Sequence, residues 1–387
     1  MTPVSRALCL PPLSLYIHIP WCVRKCPYCD FNSHNAPQVL PQDEYVTALL
    51  ADLDLDVDLA QGRSIGSIFF GGGTPSLFAP DRIARILDGV AARLELARDV
   101  EITLETNPGT VEHGPFADYR RAGVNRISFG VQSFDDDKLK RLGRIHSAAE
   151  AEHAIKSAQD AGYANLNLDL MYALPEQTLA GAIADVEHAI ALAPAHLSHY
   201  QLTLEPNTLF AAKPPPLPDS DSAWDMQEAC QQHLAEAGYA QYEVSAYARD
   251  GHRCAHNLNY WSFGDYLGIG AGAHGKISDA RGVSRSAKVK LPKSYLDRAA
   301  RGETFGTLDA IDASQLPFEF MLNALRLNDG IATAEFERRT GLPLATIDAP
   351  LAAARAHGWL EDDRTHLQPT ESGRRFLNDL IALFLVE

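Results

Sequence analysis

Six short runs rich in β-branched, aromatic or leucine residues recur through the first half of the chain, at residues 14–19, 65–70, 99–105, 124–129, 164–170 and 196–203. Each reads as a buried strand. Amphipathic stretches of helical length, among them 79–97, 147–161 and 178–193, lie between them. DLDLDVDL at 52–59 alternates like a strand, but it continues the helical spacing of QDEYVTALL and is read as helix. Strands separated by helices call for crossover connections, hence a parallel sheet, either a βα barrel or an open doubly wound sheet.

Beyond the sixth run the character changes. EPNTLFAAKPPPLPD at 205–219 is too rich in proline for a helix or a central strand and is expected to be a long surface connection. A helix at about 220–237 and a strand at 240–248 are expected next, then a loop-built site over 249–276 containing the glycine-rich DYLGIGAGAHG. From about 305 the pattern is three helices, GWLE, an acidic turn, HLQP and a last helix, the order of a winged-helix module. The expected division is 1–204, 205–303 and 304–387.

Charge narrows the functions open to such a chain. The 387 residues hold 34 Lys and Arg against 50 Asp and Glu, a net −16, and residues 304–387 hold 7 against 13. A basic footprint for nucleic acid is absent, so the last module is expected to pack or dock rather than bind DNA. No run of eighteen apolar residues occurs, and MTPVSRALCLPPLSLY lacks a signal-peptide core. A cytoplasmic protein without an integral membrane segment is expected.

Three of six cysteines, Cys22, Cys26 and Cys29, fall within HIPWCVRKCPYCDF, directly after the first strand. Such clustering is metal-site usage rather than a disulfide framework. Three thiolates suit a four-iron-four-sulfur cluster with one iron left open, and spacing alone leaves a zinc site completed by His34 equally open. The second strand ends in GGGTPS, residues 71–76, which lacks the Gly-Lys-Ser/Thr of a phosphate loop. Later strands bring Glu105, Gln132, Asp169 and Thr203 near their C-terminal ends, the face on which βα barrels build sites, and Arg144 follows the fourth.

The Cys-x3-Cys-x2-Cys loop with Tyr28 before its last cysteine resembles the signature of the radical S-adenosylmethionine superfamily. The resemblance implies a 4Fe-4S cluster on Cys22, Cys26 and Cys29. It also implies S-adenosylmethionine, which chelates the fourth iron and is cleaved to a 5′-deoxyadenosyl radical on reduction. Over roughly residues 14–380 the chain is similar to the oxygen-independent coproporphyrinogen III oxidase branch. That similarity places Tyr16 and Phe31 beside the cluster, and Gly72, Gly73, Thr74, Glu105, Gln132, Arg144, Asp169 and, less closely aligned, Thr203 on the cosubstrate. It implies an α/β fold, an incomplete six-stranded parallel (β/α)6 barrel with a C-terminal, mainly helical, winged-helix-like domain.

Within this branch, oxidases that decarboxylate porphyrinogen propionates stand beside heme chaperones. The oxidases carry a fourth cysteine two positions after the third and a long N-terminal arm. Here position 31 is Phe31, and 21 residues precede Cys22. HNLNYW at 256–261 matches the His-Asn-x-x-Tyr-Trp motif of the chaperone group, which implicates His256, Asn257, Tyr260 and Trp261 in heme binding. A neutral imidazole can ligate heme iron, and the aromatic rings offer flat apolar surface. Cys254 is read as a free cysteine. The expectation is a heme carrier, monomer or homodimer, that serves a client hemoprotein and meets the membrane only peripherally through that client, with the oxidase as the alternative.

Overall fold

The computed structural model describes residues 10–109, 114–303 and 305–385; Cys9 and the rest of the opening segment lie outside the described residues. The six expected strands are all present, as β1 (Leu13–Ile19), β2 (Ile65–Gly72), β3 (Leu96–Thr106), β4 (Arg126–Gln132), β5 (Leu166–Tyr172) and β6 (His196–Gln201). They pair in parallel in sequence order. Six of seven residues in β1, β4 and β5 are buried, which is why these strands read as near-continuous apolar runs rather than alternating ones.

The sheet is larger than expected. Two short strands, β7 (Ala240–Glu243) and β8 (Ala246–Ala248), form a hairpin that adds antiparallel to β6. The expected single strand over 240–248 is thus broken by a turn. On the other side, β9 (Asp265–Ile269) lies parallel to β1 as a seventh parallel strand. From it β10 (His274–Asp279), β11 (Gly282–Lys288) and β12 (Gly306–Ala310) continue as an antiparallel meander. Among the described residues the order is β12-β11-β10-β9-β1-β2-β3-β4-β5-β6-β8-β7.

Helices cover the parallel strands: α1 (Gln42–Asp56), α2 (Pro80–Ala91), α3 (Ala148–Asp160), α4 (Leu179–Ala191) and α5 (Ser220–Glu236). DLDLDVDL is helical, α1 passing into a 3-10 turn at Val57–Ala60. In α2 the buried residues Ile83, Ile86, Leu87 and Val90 fall at i, i+3, i+4 and i+7, a single stripe facing the sheet. The expected helix over 79–97 overruns, because Leu96 pairs with Ile65 as the first residue of β3. A capping box on Ser147 and Glu150 starts α3 by satisfying two orphan amides.

The segment 255–261, expected in a loop, is the helix α6 (Ala255–Trp261), packed between β2 and β9. A second apolar core is built by α7 (Leu316–Ala324), α8 (Thr333–Thr340), α9 (Asp348–Ala356) and the two-residue pairing of Ile331–Ala332 with His366–Leu367. Phe263 and Val283 from the sheet side join that core, with the Phe263 and Phe320 rings 5.5 Å apart. At the seam, Asp265 is fully buried. Its carboxylate accepts from Arg63 at 2.7 Å, Lys276 Nζ at 2.8 Å, and both the amide and the hydroxyl of Ser278.

Candidate functional site

The site lies where the parallel strands end. After β1 the chain enters the cysteine loop, whose base is closed by parallel pairing of Trp21 with His34 and Cys22 with Asn35. The loop is tied down from three directions. Asn32 Nδ2 donates to the carbonyls of Ala271 and Lys290, both at 2.9 Å; the Phe210 amide donates to Pro27 O at 3.0 Å; and Tyr28 packs against Phe210. Phe210 comes from the proline-rich connection, so that segment covers the loop rather than merely spanning the surface.

The glycine loop serves a purpose other than the one its composition suggests. The Gly73 and Thr74 amides donate to Ile19 O and Trp21 O at 2.8 and 2.7 Å, zipping this loop to the strand that leads into Cys22. A Cβ on Gly73 would lie 2.5 Å from Trp21 O. Gly72, at φ +111°, sits against the His18 ring. Two of the glycines are therefore required by the approach of one loop to the other.

A cavity of about 320 Å³ opens between these loops. It is lined by Cys22, Cys26 and Cys29 together with Phe31, Gly72, Gly73, Thr74, Glu105, Gln132, Arg144, Asp169 and Thr203. Every residue expected at the cluster or cosubstrate is thus brought to one space except Tyr16, which lines the neighbouring cavity and whose hydroxyl meets His18 Nδ1 at 3.0 Å. Arg144 reaches across the floor. Its Nη1 lies 3.6 Å from Cys26 Sγ, and its Nη2 donates to Gly130 O at 2.7 Å and to Asn107 Oδ1. Gln132 has φ +71°, unusual for a residue with a side chain, and accepts from Tyr200 Oη at 2.9 Å.

Two carboxylates face this space from adjacent walls. Burial first, then the nearby Asp169, pushes Glu105 up to about 8, with the Gly72 amide and Arg126 pulling the other way. Burial likewise raises Asp169, offset by donors from Asn167, Ser198 and Ser128. Asn167 Nδ2 holds one Asp169 oxygen at 2.8 Å and Ser128 Oγ the other at 3.3 Å. Such a pair is relieved by a ligand that brings positive charge or hydroxyl donors.

The donor set fits the expected groups. Three thiols line one wall, and burial raises that of Cys29 while the Phe31 amide and Ser33 hydroxyl lower it. His34 Nε2 meets Asn32 Oδ1 at 3.3 Å and lines the second cavity instead. His34 does not line the cavity that the three thiols share, so the fourth member of a Cys3His set is not gathered there with them. Beside the thiols, a guanidinium suited to a carboxylate and two carboxylates suited to an ammonium, sulfonium or ribose complement S-adenosylmethionine.

The second cavity, about 710 Å³, adjoins the first and shares Cys29, Asp30, Phe31, Ser33, Gly72 and Glu105 with it. Tyr260 and Tyr266 line it, along with Lys25, His274 and Lys290. The other members of the HNLNYW motif lie elsewhere. His256 is 1% exposed, stacks on Phe69, and has both ring nitrogens engaged, Nδ1 with Ser67 Oγ at 3.0 Å and Nε2 with Tyr260 Oη at 2.8 Å. Burial, then Arg126, holds it down at about 3. Asn257 is half-buried and lines neither cavity. Trp261 lies under the Arg326 guanidinium at 4.2 Å. Cys254 is buried, its thiol 3.6 Å from Glu101 Oε1.

Sequence reasoning missed Asn107, whose Nδ2 donates to Thr74 Oγ1 at 2.9 Å while its Oδ1 holds Arg144. The available signal was its place two residues beyond Glu105, on the same side of the chain as β3 ends. Tyr200, Lys25, Lys290 and His274 carried none.

Comparison with known proteins accords with this geometry. The profile of the radical SAM superfamily matches residues 16–189, and that of the HemN C-terminal domain matches residues 311–376. In solved structures the fold resembles coproporphyrinogen III oxidase (HemN) from Escherichia coli, with a TM-score of 0.82 at 24% identity over 97% of this chain and 90% of that one. The heme chaperone HemW of Escherichia coli (strain K12) is 54% identical over 98% of this chain and 99% of its own. That of Haemophilus influenzae is 50% identical over 98% and 99%, and that of Bacillus subtilis 32% over 97% and 99%. End-to-end identity at this level, on a fold that brings the three thiols to the wall of one cavity, makes the chain a member of the HemW family within the radical SAM superfamily.

Proposed function

We propose that this protein binds heme and delivers it to a client hemoprotein, on a scaffold that holds a 4Fe-4S cluster and S-adenosylmethionine. The observation that carries this reading is the match, along nearly the whole chain, to proteins named heme chaperones. When bound, the cluster and cosubstrate supply one-electron chemistry at the cavity mouth. The chain's own residues set the rest. Cys22, Cys26 and Cys29 would hold the cluster; Arg144 would take the cosubstrate carboxylate, steadied by Asn107; Glu105 and Asp169 would take its donors. Phe31 stands 60% exposed at the lip shared by both cavities, where it can shield one from the other.

Among the described residues no helix is long and apolar enough to cross a membrane, so contact with a membrane-bound client would be peripheral. The protein is proposed to act in the cytoplasm as a monomer or homodimer. The test is anaerobic. Protein with reconstituted cluster is loaded with heme and mixed with an apo-hemoprotein, then separately with coproporphyrinogen and S-adenosylmethionine. Heme transfer without protoporphyrinogen is expected; protoporphyrinogen formation would instead make the chain an oxidase.

A further inference from the structure

Three imidazoles face the second cavity: His18, His34 and His274. His18 has both nitrogens engaged, with Tyr16 Oη at 3.0 Å and Asn32 O at 2.9 Å, and His34 shares a hydrogen bond with Asn32. His274, exposed at the start of β10, has no side-chain hydrogen-bond partner among the described residues. Of the three it is the one whose ring has no hydrogen bond to break among the described residues, whereas His34 is held by Asn32 and by the Lys290 backbone. His256 would have to break two, and it lines neither cavity.

We propose that the second cavity is the seat of the heme, with His274 as a ligand to the iron and Lys25 and Lys290 facing the two propionates. This rests on the heme-carrier reading. At about 710 Å³ the space falls in the range of about 300–1,000 Å³ usual for ligands of this size. Tyr260, Tyr266 and Phe31 give the flat apolar surface a macrocycle requires, and the two ammonium groups supply charge for carboxylates. Lys25 is held to the cysteine loop, its Nζ at 3.1 Å from Phe31 O and 3.3 Å from Ser33 O. Lys290 is fixed to the same loop through its carbonyl, which accepts from Asn32. One anchor of the cavity thus belongs to the cluster loop and the other to the bend that follows β11.

In this arrangement His256 is a positioning residue. Its Nε2 fixes the Tyr260 hydroxyl, and Tyr260 forms part of the cavity wall.

The experiment is a titration of the full-length protein with ferric heme, read by absorbance and electron paramagnetic resonance, for wild type, His274→Ala, His256→Ala and the double variant Lys25→Gln/Lys290→Gln. His274→Ala is expected to lose the histidine-ligated signature and at least about tenfold in affinity. His256→Ala is expected to weaken binding while keeping that signature. Heme dimethyl ester, which lacks the carboxylates, is expected to bind wild type about tenfold more weakly than heme, and the double variant is expected to bind the two alike. Thermal unfolding and iron content, unchanged in His274→Ala, exclude a folding defect. Heme binding by wild type with an unaltered His274→Ala spectrum and affinity, or loss of the signature in His256→Ala, overturns the placement alone. Wild type that binds no heme overturns the carrier reading and the placement with it.

Discussion

Glu105 and Gly72 are joined across two strand ends, the carboxylate Oε2 accepting the glycine amide at 3.3 Å. The bond ties the third strand to the loop that is itself zipped to the cysteine strand. A carboxylate whose proton affinity is raised by burial therefore forms part of the frame that positions the thiols.

That raised proton affinity has a definite sign in solution. Between the ordinary value of 4.5 and about 8, folded protein keeps a proton on Glu105 that the unfolded chain has released. Stability should thus fall as pH rises through this window, and S-adenosylmethionine, a cation, should release the proton on binding. In Glu105→Gln both effects should shrink. Unfolding midpoints across pH, and calorimetry in buffers of different ionisation enthalpy, measure them; a variant whose pH profile matches wild type would refute the assignment.

Replacing any one of Cys22, Cys26 or Cys29 with Ala should abolish stoichiometric iron and sulfide after anaerobic reconstitution, because two thiolates cannot hold a cluster that three would bind with one iron left open. Zinc retained at one equivalent in wild type, with no sulfide, would contradict the cluster.

Gly73→Ala should separate the two loops. The added Cβ meets Trp21 backbone atoms, which cannot swing aside as a side chain end can. A loss of about 1–3 kcal/mol is expected from the overpacking, together with weakened cosubstrate binding. Chemical denaturation and equilibrium dialysis would show it, and unchanged values in both would mean that the loops part easily.

Asp265→Asn should destabilise the fold by about 3–5 kcal/mol, the usual cost of leaving a buried cation without its counter-charge. Lys276 is 3% exposed and has this carboxylate as its salt-bridge partner. Denaturant unfolding of the single variant and of Asp265→Asn/Lys276→Met gives the comparison: the double variant should recover much of the loss, and if it does not, packing rather than charge explains the effect.

What the sequence could and could not reveal follows from how far each signal reaches along the chain. Strands such as β1 and β5 are buried on both faces, so their runs of Leu, Ile and Tyr are visible locally. Strand β9 was hidden because DYLGIGAGAHG reads as turns. Yet Gly268 lies in that strand, where a Cβ would come within 1.9 Å of His274 O, so the glycine serves strand crossing rather than bending. Helix α6 was missed because HNLNYW holds weak helix formers, and packing against β2 and β9 overrides that preference. The wall of the first cavity was largely readable, since its residues sit at predictable strand ends. The second cavity was not: Lys25, Tyr260, His274 and Lys290 share no spacing, and it is the folding of α6 and the antiparallel meander back against the cysteine loop that brings them together.

Phe31 and Glu105 belong to the walls of both cavities. A partition with two tenants cannot shift for one without shifting for the other. If an occupant of the first cavity moves that partition so as to favour or oppose an occupant of the second, the second must return the same free energy to the first, whichever arrives earlier. The protein's hold on its cargo then becomes a function of cosubstrate concentration, and release is governed by a small molecule that never touches the iron it sets free.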